Sequence, residues 1–175
     1  MIRASSGDYT RWKEWLEGFG RGVDRGTDGL PPFHSDWGGG MYERLLDRVE
    51  SAFTARMGLW AESLQRDMGR ASGLTADELG AALTAARRRL RPIKRFAESD
   101  RLPEDLRTQL ATALHASVAT AQRSLERSAG EDDPTGHRAA VVRRGPLTAD
   151  LGTRTPERRD TPNPPDTGPR PIRFR

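Results

Sequence analysis

Cysteine is absent from this chain of 175 residues. Without a thiol, the protein has no disulfide framework, no thiolate nucleophile and no thiolate metal ligand. Small secreted domains that depend on disulfides for their stability are therefore excluded. The same absence is compatible with a reducing compartment, and we predict a cytoplasmic location.

Long hydrophobic runs are also absent. Nowhere does the sequence hold the roughly 18 consecutive apolar residues that a membrane-spanning helix requires. The opening residues, MIRASSGDYT, lack the apolar core of a secretory signal. A membrane is therefore not favoured as a partner. Because hydrophobic residues make up only 34% of the chain and charged residues 31%, we expect part of it to stay unpacked.

The chain has no strong excess of charge of either sign. Its 29 basic and 25 acidic residues give a formal net charge of +4. A basic balance can indicate nucleic acid as a partner, because bound cations release counterions from phosphates. However, only Lys13 and Lys94 are lysine, and arginine abounds together with alanine and glycine, as is typical of a high-GC bacterium. Overall charge therefore does not identify a partner.

Recognisable catalytic and cofactor-binding motifs are missing. The sequence has no phosphate-binding G-x-x-x-x-G-K-[ST], no H-E-x-x-H, no G-x-S-x-G and no Cys/His cluster. His34, Ser35 and Asp36 include the residue types of a hydrolytic triad, but immediate neighbours cannot hold one another in relay geometry. His115 has no second ligand at helical spacing. We therefore predict a protein that is not an enzyme and has no catalytic residues, no metal site and no cofactor.

Large apolar residues recur at steps of three and four between Met41 and Met68, which predicts a long amphipathic helix. They are Tyr42, Leu46, Val49, Phe53, Met57, Trp60, Leu64 and Met68. Several are eleven residues apart, a spacing that favours a straight or slightly right-handed packing seam. Other helices must cover this stripe, and the seam could continue into a homo-oligomer.

Two further helices complete a predicted three-helix bundle over residues 40–130. Thr75 and Glu78 have the spacing of a capping box, which predicts the start of a helix over about 75–98. Pro92 is expected to kink or break this helix near Leu90. Asp100 is the predicted cap of the last helix, which should end near residue 130.

An amphipathic helix is predicted over about 8–23, within an N-terminal segment of residues 1–39. Its apolar stripe consists of Trp12, Trp15, Leu16, Phe19 and Val23. Gly18, Gly20 and Gly22 weaken a helix by about 1 kcal/mol each, so this helix needs a surface to lie on. The surface could be its own bundle, a groove of a protein partner, or a membrane. A linker rich in glycine and proline follows, which we expect Leu30, Phe33 and Trp37 to hold against the bundle.

The last 45 residues, 131–175, hold eight of the 12 prolines and few large apolar side chains, which predicts a disordered tail. Two apolar segments interrupt it, at 141–152 and at 170–175. Such segments can bind a partner, or the whole tail can stay solvated. The candidate partner-binding residues of both termini are Trp12, Trp15, Leu16, Phe19, Val141, Val142, Leu147, Leu151, Ile172 and Phe174.

A basic face is predicted on the helix at 75–98. At about 100° per residue, five cations fall on one side of the helix, away from its apolar stripe. They are Arg87, Arg88, Arg91, Lys94 and Arg95. This face could be a solvated surface, a phosphate or nucleic-acid site, or a site for an acidic protein surface.

These patterns together predict an all-α protein. The function they favour is that of a non-catalytic helical adaptor or assembly protein, which binds protein partners through its bundle surface and its terminal segments. The alternative is a nucleic-acid-binding or regulatory protein that uses the arginine-rich face of the helix at 75–98.

Overall fold

The computed structural model describes residues 6–33 and 37–152. In these ranges the chain forms five α-helices and no strand, which confirms the all-α prediction. The helices are α1 (Ser6–Gly20), α2 (Met41–Met68), α3 (Ala76–Ala97), α4 (Glu104–Gly130) and α5 (His137–Arg144), with a short 3-10 turn at Ala71–Gly73. All five helices contribute side chains to one hydrophobic core, so the core is larger than the predicted three-helix bundle.

The long helix α2 lies at the centre and packs against α1, α3 and α4. Most of its predicted stripe is buried, while Tyr42, Leu46 and Leu64 are half-buried. Residues outside that stripe, including Ala52 and Arg56, are buried as well. Ala52 faces α1, because a Cβ atom placed on Gly20 would lie only 3.6 Å from its Cα. Helix α2 therefore has a second packed side that the apolar pattern does not indicate.

Helix α1 is shorter than the predicted span of 8–23 and begins earlier, which places Asp8 in its first turn. Its end is a Schellman motif, in which Val23 N–H donates to Gly18 O at 2.9 Å and Gly22 N–H donates to Phe19 O at 3.0 Å. Gly22 supplies the left-handed conformation at φ +96°. Val23 therefore lies beyond the helix, and it is 42% exposed instead of belonging to the apolar stripe.

The linker after α1 follows the aromatic side of that helix. Trp12 Nε1 donates to Pro31 O at 2.8 Å, and Trp15 Nε1 donates to Gly26 O at 3.2 Å. Leu30 and Trp37 are buried, and Phe33 packs against the core, so these three residues hold the linker as predicted. The predicted exclusion of a triad at residues 34–36 concerns positions outside the described ranges.

The capping box at the start of α3 is confirmed. Thr75 N–H donates to Glu78 Oε2 at 2.9 Å, and Glu78 N–H donates to Thr75 Oγ1 at 3.2 Å. A kink or a break was predicted near Leu90, and the break is wrong, because the helix continues through Pro92 to Ala97. The kink stays a prediction. Proline removes only one backbone donor. The turn that follows it is held by core packing, since Ile93 and Phe96 are at most 1% exposed.

Helix α4 begins at Glu104, with Pro103 before it, and not at the predicted cap Asp100. Ser99 organises the intervening turn instead. Its carbonyl accepts from Leu102 N–H at 3.2 Å, and its hydroxyl donates to Thr27 Oγ1 at 2.9 Å. The turn is therefore fixed by its contact with the linker, which lies far away in the sequence.

The predicted disorder of the whole tail is wrong for residues 131–152. Helix α5 packs against α3 and α4, Val142 and Leu147 are fully buried, and Leu151 is 6% exposed. Leu147 N–H also donates to the buried side chain of Gln122 at 2.8 Å. A few apolar residues, each with a place in the core, are enough to order a segment that is polar on average. The rest of the predicted tail, 153–175, lies outside the described residues.

A polar turn joins α4 to α5. The Arg138 guanidinium donates to three backbone carbonyls, those of Ser72 at 2.6 Å, Glu131 at 2.9 Å and Asp132 at 2.7 Å. The Asp133 carboxylate accepts from Ala139 N–H at 3.2 Å. This backbone donor lowers the pKa of Asp133 below its ordinary value.

Replacing Leu147 tests whether the segment after α5 belongs to the core. We expect Leu147→Ala to lower the free energy of unfolding by about 2–5 kcal/mol, because the residue is fully buried. The matched control is Leu59→Ala at a 41% exposed position, which should change stability by less than about 0.5 kcal/mol. Urea unfolding of the full chain measures both. Equal stabilities of the two variants would contradict the placement of Leu147 in the core.

Acid should weaken the turn before α5. A carboxylate whose pKa is lowered by folding contributes stability above its unfolded pKa, and that contribution is lost as the pH falls through the folded pKa. We therefore expect Asp133→Asn to lower the free energy of unfolding at neutral pH. At a pH low enough to protonate Asp133 in the parent chain, the two proteins should be equally stable. Urea unfolding across pH measures this. The control is Asp132→Asn, which tolerates the positive φ of +48° at that position and leaves the bond from Ala139 N–H to Asp133 in place, so it should keep the acid sensitivity that Asp133 causes.

Candidate functional site

The predicted basic face is present on α3. Leu83, Ala86, Leu90 and Ile93 are buried, which turns the opposite side of the helix outward. Three of the five predicted cations are exposed and two, Arg87 and Lys94, are half-buried. The exposed ones are Arg88, Arg91 and Arg95. The structure therefore brings all five together on one accessible surface.

Two neighbouring interactions define the limits of this face. Arg89 turns toward α2, where it donates to Ser63 Oγ at 2.6 Å and pairs with Asp67. Lys94 pairs with Glu98 in the next turn at 3.7 Å. Within residues 6–33 and 37–152, the guanidinium groups of Arg88, Arg91 and Arg95 make no ion pair. Three cations thus remain available to a partner.

The end of the described chain converts the basic face into a groove of about 320 Å³. Its lining combines Arg87, Arg91, Lys94 and Arg95 of α3 with Leu90, Glu98, Asp150 and Leu151, whereas Arg88 is exposed on α3 outside this lining. Leu90 and Leu151 are buried and form an apolar floor, whereas the charged groups form the rim. We call this site the basic groove. The sequence pattern predicted its cations but not Asp150, because that residue comes from the segment interpreted as disordered.

A second cavity, of about 540 Å³, adjoins the basic groove and shares Arg95 and Glu98 with it. Its apolar wall contains the rings of Trp15, Phe19 and Phe96. Its polar lining comes from the linker and from the turn after α3: Asp24, Arg25, Thr27, Asp28, Ser99 and Asp100. This mixture of charges lies beside the groove and was not indicated by any motif.

Arg56 supports the wall of this second cavity. It is 8% exposed, donates to Phe19 O at 3.2 Å and pairs with Asp24. Its guanidinium carbon also lies 5.1 Å from the centre of the Phe19 ring, a cation–π distance. A buried charge needs such partners, because an unpaired one would be costly. Arg56 is therefore a structural residue and not part of an accessible basic surface.

The predicted partner-binding residues lie mainly inside the protein. Trp12, Trp15, Leu16 and Phe19 are at most 8% exposed, so the N-terminal helix docks on its own bundle. Val142, Leu147 and Leu151 are buried and Val141 is half-buried, so they pack on the same core. Ile172 and Phe174 lie outside the described residues. In this structure, the terminal helices do not present these side chains to a protein partner or a membrane.

Two further findings concern the part of the chain that the structure describes. No group of three or more His, Cys, Asp or Glu residues there could hold a metal ion. None of the helices there is both long and apolar enough to cross a membrane.

The comparisons with known proteins give no match. No protein-family model, no curated protein and no solved structure is similar to this chain at a significant level. The geometry and charge of the basic groove are therefore the features of this chain that bear on its function.

Proposed function

We propose that the protein is a non-catalytic helical adaptor or assembly protein that binds an acidic segment of a protein partner in the basic groove. The observation that carries this proposal is a row of three exposed arginines, Arg88, Arg91 and Arg95, that make no ion pair with the described part of the chain. Arg91 and Arg95 line the groove, which has a floor of buried leucines. A site of this kind suits a ligand with carboxylates next to apolar side chains, because the floor buries the apolar part while the rim pairs with the charges.

The carboxylates of the groove favour a protein ligand over a nucleic-acid backbone. Glu98 and Asp150 line the same groove as Arg91 and Arg95, and they would repel a continuous row of phosphates. A protein segment can place its own cations or amides opposite these two residues. The mixed rim therefore provides specificity for a particular partner surface.

Nucleic-acid binding is the second candidate, and the spacing of the arginines supports it. Arg88, Arg91 and Arg95 occupy one side of α3 over about 10 Å of helix length, at a rise of about 1.5 Å per residue. Three such contacts to duplex DNA would give a slope of log affinity against log salt of about −2.7. Nucleic-acid binding thus predicts a definite salt slope, whereas the adaptor function does not.

Charge reversal of the arginine row tests the proposed function. We expect Arg88→Glu, Arg91→Glu and Arg95→Glu together to weaken partner binding roughly 10- to 100-fold at low salt, because each exposed pair contributes about 0.5–1 kcal/mol. The partner is first recovered from the native host with the full-length protein, after nuclease treatment. Its affinity for each purified variant is then measured by calorimetry.

The control replaces three exposed arginines elsewhere, Arg66→Glu, Arg70→Glu and Arg127→Glu, with the same change in net charge. It should bind like the parent chain. Equal affinity of the groove variant and the control would exclude the basic groove as the site. Loss of every bound partner on nuclease treatment, with a salt slope that the groove variant flattens, would favour nucleic acid instead.

A further inference from the structure

A third cavity, of about 310 Å³, lies between α4 and the end of the described chain. One wall is a single face of α4, on which residues three or four positions apart lie side by side. This face consists of Glu104, Arg107, Thr108, Ala111 and His115. The other wall consists of Ala97, Glu98 and Leu151. Glu98 and Leu151 also line the basic groove, whereas none of the five α4 residues does. We call this site the α4 cavity.

The side chain of Arg107 is the unusual feature of the α4 cavity. Its Nε atom is buried and has no hydrogen-bond partner in the described part of the chain. Within residues 6–33 and 37–152, its guanidinium also makes no ion pair. Arg138 Nε is buried in the same way, but the other nitrogens of that guanidinium donate to three carbonyls. Buried donors are normally paired, and an unpaired donor is costly, above all when it is charged. Arg107 therefore needs an acceptor that the described chain does not supply.

Two carboxylates line the α4 cavity without serving as that acceptor. Glu98 pairs with Lys94 at 3.7 Å. Glu104 is exposed in the first turn of α4 and, across the described ranges, has no ion pair. Both carboxylates would repel a simple anion that approached Arg107. A ligand with one charge of each sign avoids this repulsion, because its cation pairs with the carboxylates while its anion pairs with Arg107.

The rest of the lining is small and largely apolar. Ala97 and Leu151 are buried, and Ala111 is half-buried. His115 lies about two helical turns beyond Arg107, at the other end of the face. The cavity volume of about 310 Å³ is at the lower end of the range for small-molecule sites, which is about 300–1,000 Å³. The α4 cavity therefore suits a small ligand with a charged head near Arg107 and a short aliphatic body.

A carboxylate is the anion that suits Arg107. The guanidinium is planar, and it can present parallel N–H donors, one of them on Nε, to both oxygens of a carboxylate. In an α-amino acid, the ammonium group and the side chain are attached to the carbon next to that carboxylate. One small molecule thus combines the anion, the cation and the aliphatic body that the lining requires. A protein terminus carries only one of the two charges, so it would satisfy only part of the cavity.

We propose that the α4 cavity binds a free α-amino acid with an aliphatic side chain. The ligand carboxylate accepts from the Arg107 guanidinium, and the ligand ammonium donates to Glu104 and Glu98. The aliphatic side chain lies against Ala111 and Leu151. Because Leu151 also lines the basic groove, the bound amino acid stabilises the segment that completes that groove. The inference does not depend on the function proposed for the basic groove.

An NMR titration of the full-length, isotope-labelled protein tests the proposal. We expect L-leucine to cause saturable shifts of the amide signals of Arg107, Ala111 and Leu151 and to leave that of Leu59 unchanged. Two comparison ligands each lack one charge: 4-methylpentanoate has no ammonium, and 3-methylbutylamine has no carboxylate. Both should bind roughly 10- to 100-fold more weakly, because a charge-assisted contact is lost. The absence of saturable shifts with L-leucine, L-valine and L-alanine would overturn the proposal. Equal binding of 4-methylpentanoate would exclude an amino acid as the ligand.

Replacement of Arg107 identifies the anion contact. Arg107→Gln should weaken L-leucine binding roughly 10- to 100-fold, because it removes both the charge and the buried Nε donor. Arg107→Lys keeps the charge without the planar fork and should give an intermediate affinity. The matched control, Arg127→Gln, makes the same change of charge at an exposed position of α4 and should bind like the parent chain. Urea unfolding shows that each variant folds, and saturating L-leucine should raise the free energy of unfolding of the control but not of Arg107→Gln. An unchanged affinity of Arg107→Gln would overturn the proposal.

Replacement of the two carboxylates identifies the cation contact. Glu98→Gln with Glu104→Gln should weaken the binding of L-leucine and strengthen that of 4-methylpentanoate, because the same carboxylates attract an ammonium and repel a lone anion. A change in the structure of the cavity alone would weaken both ligands together. The matched control, Glu43→Gln with Glu50→Gln, alters two exposed carboxylates of α2 and should leave both affinities unchanged. A parallel loss of both ligands, or no effect on either, would exclude Glu98 and Glu104 as partners of the ammonium.

Discussion

The contact of Trp15 and Phe19 with Phe96 determines how the outer parts of the molecule are arranged. The ring centres of Trp15 and Phe96 are 5.0 Å apart, and those of Phe19 and Phe96 are 4.5 Å apart. These rings join α1 to the last turn of α3, and they force the linker to return along α1. The turn held by Ser99 and the wall of the second cavity both depend on this arrangement. Burial of large aromatic surfaces supplies the free energy that the glycine-rich end of α1 lacks.

Local chemistry allowed some elements to be predicted accurately. The capping box of Thr75 and Glu78 involves two residues that are close in sequence, so no other part of the fold is needed to form it. The apolar stripe of α2 follows from helix geometry alone. By contrast, the surface that covers the stripe of α1 is a tertiary property. Periodicity showed that Trp12 and Trp15 would be buried, but it could not show that their own bundle would bury them.

The elements that were predicted wrongly depend on distant contacts. Helix α4 begins later than expected because Ser99 bonds to Thr27, a residue 72 positions earlier in the sequence, with the whole of α2 and α3 between them. Residues 131–152 are ordered because Val142 and Leu147 each occupy a place in the core. The average composition of a segment gives little weight to two such residues, so it does not reveal that they can order the segment. The burial of Arg56 likewise depends on distant contacts, since its partners come from α1 and the linker.

In the candidate site, too, some features follow from local sequence and others from distant contacts. The five cations of α3 could be placed on one face from their spacing, whereas the groove required a segment without any period. Asp150 and Leu151 give the groove its shape and part of its charge. The overall charge of the chain could not reveal the basic groove, because acidic and basic residues nearly balance in number.

The late position of Leu151 in the sequence has a consequence for the synthesis and turnover of the protein. Leu151 belongs both to the hydrophobic core and to the floor of the basic groove. A nascent chain therefore exposes the arginines of α3 long before the groove exists, and the groove is complete only after Leu151 has been added. Cleavage between α5 and Leu151 would reverse this step. The groove thus depends on this segment, and a chain cut directly after α5 would lose Asp150 and Leu151 while keeping Leu90 and the cations of α3.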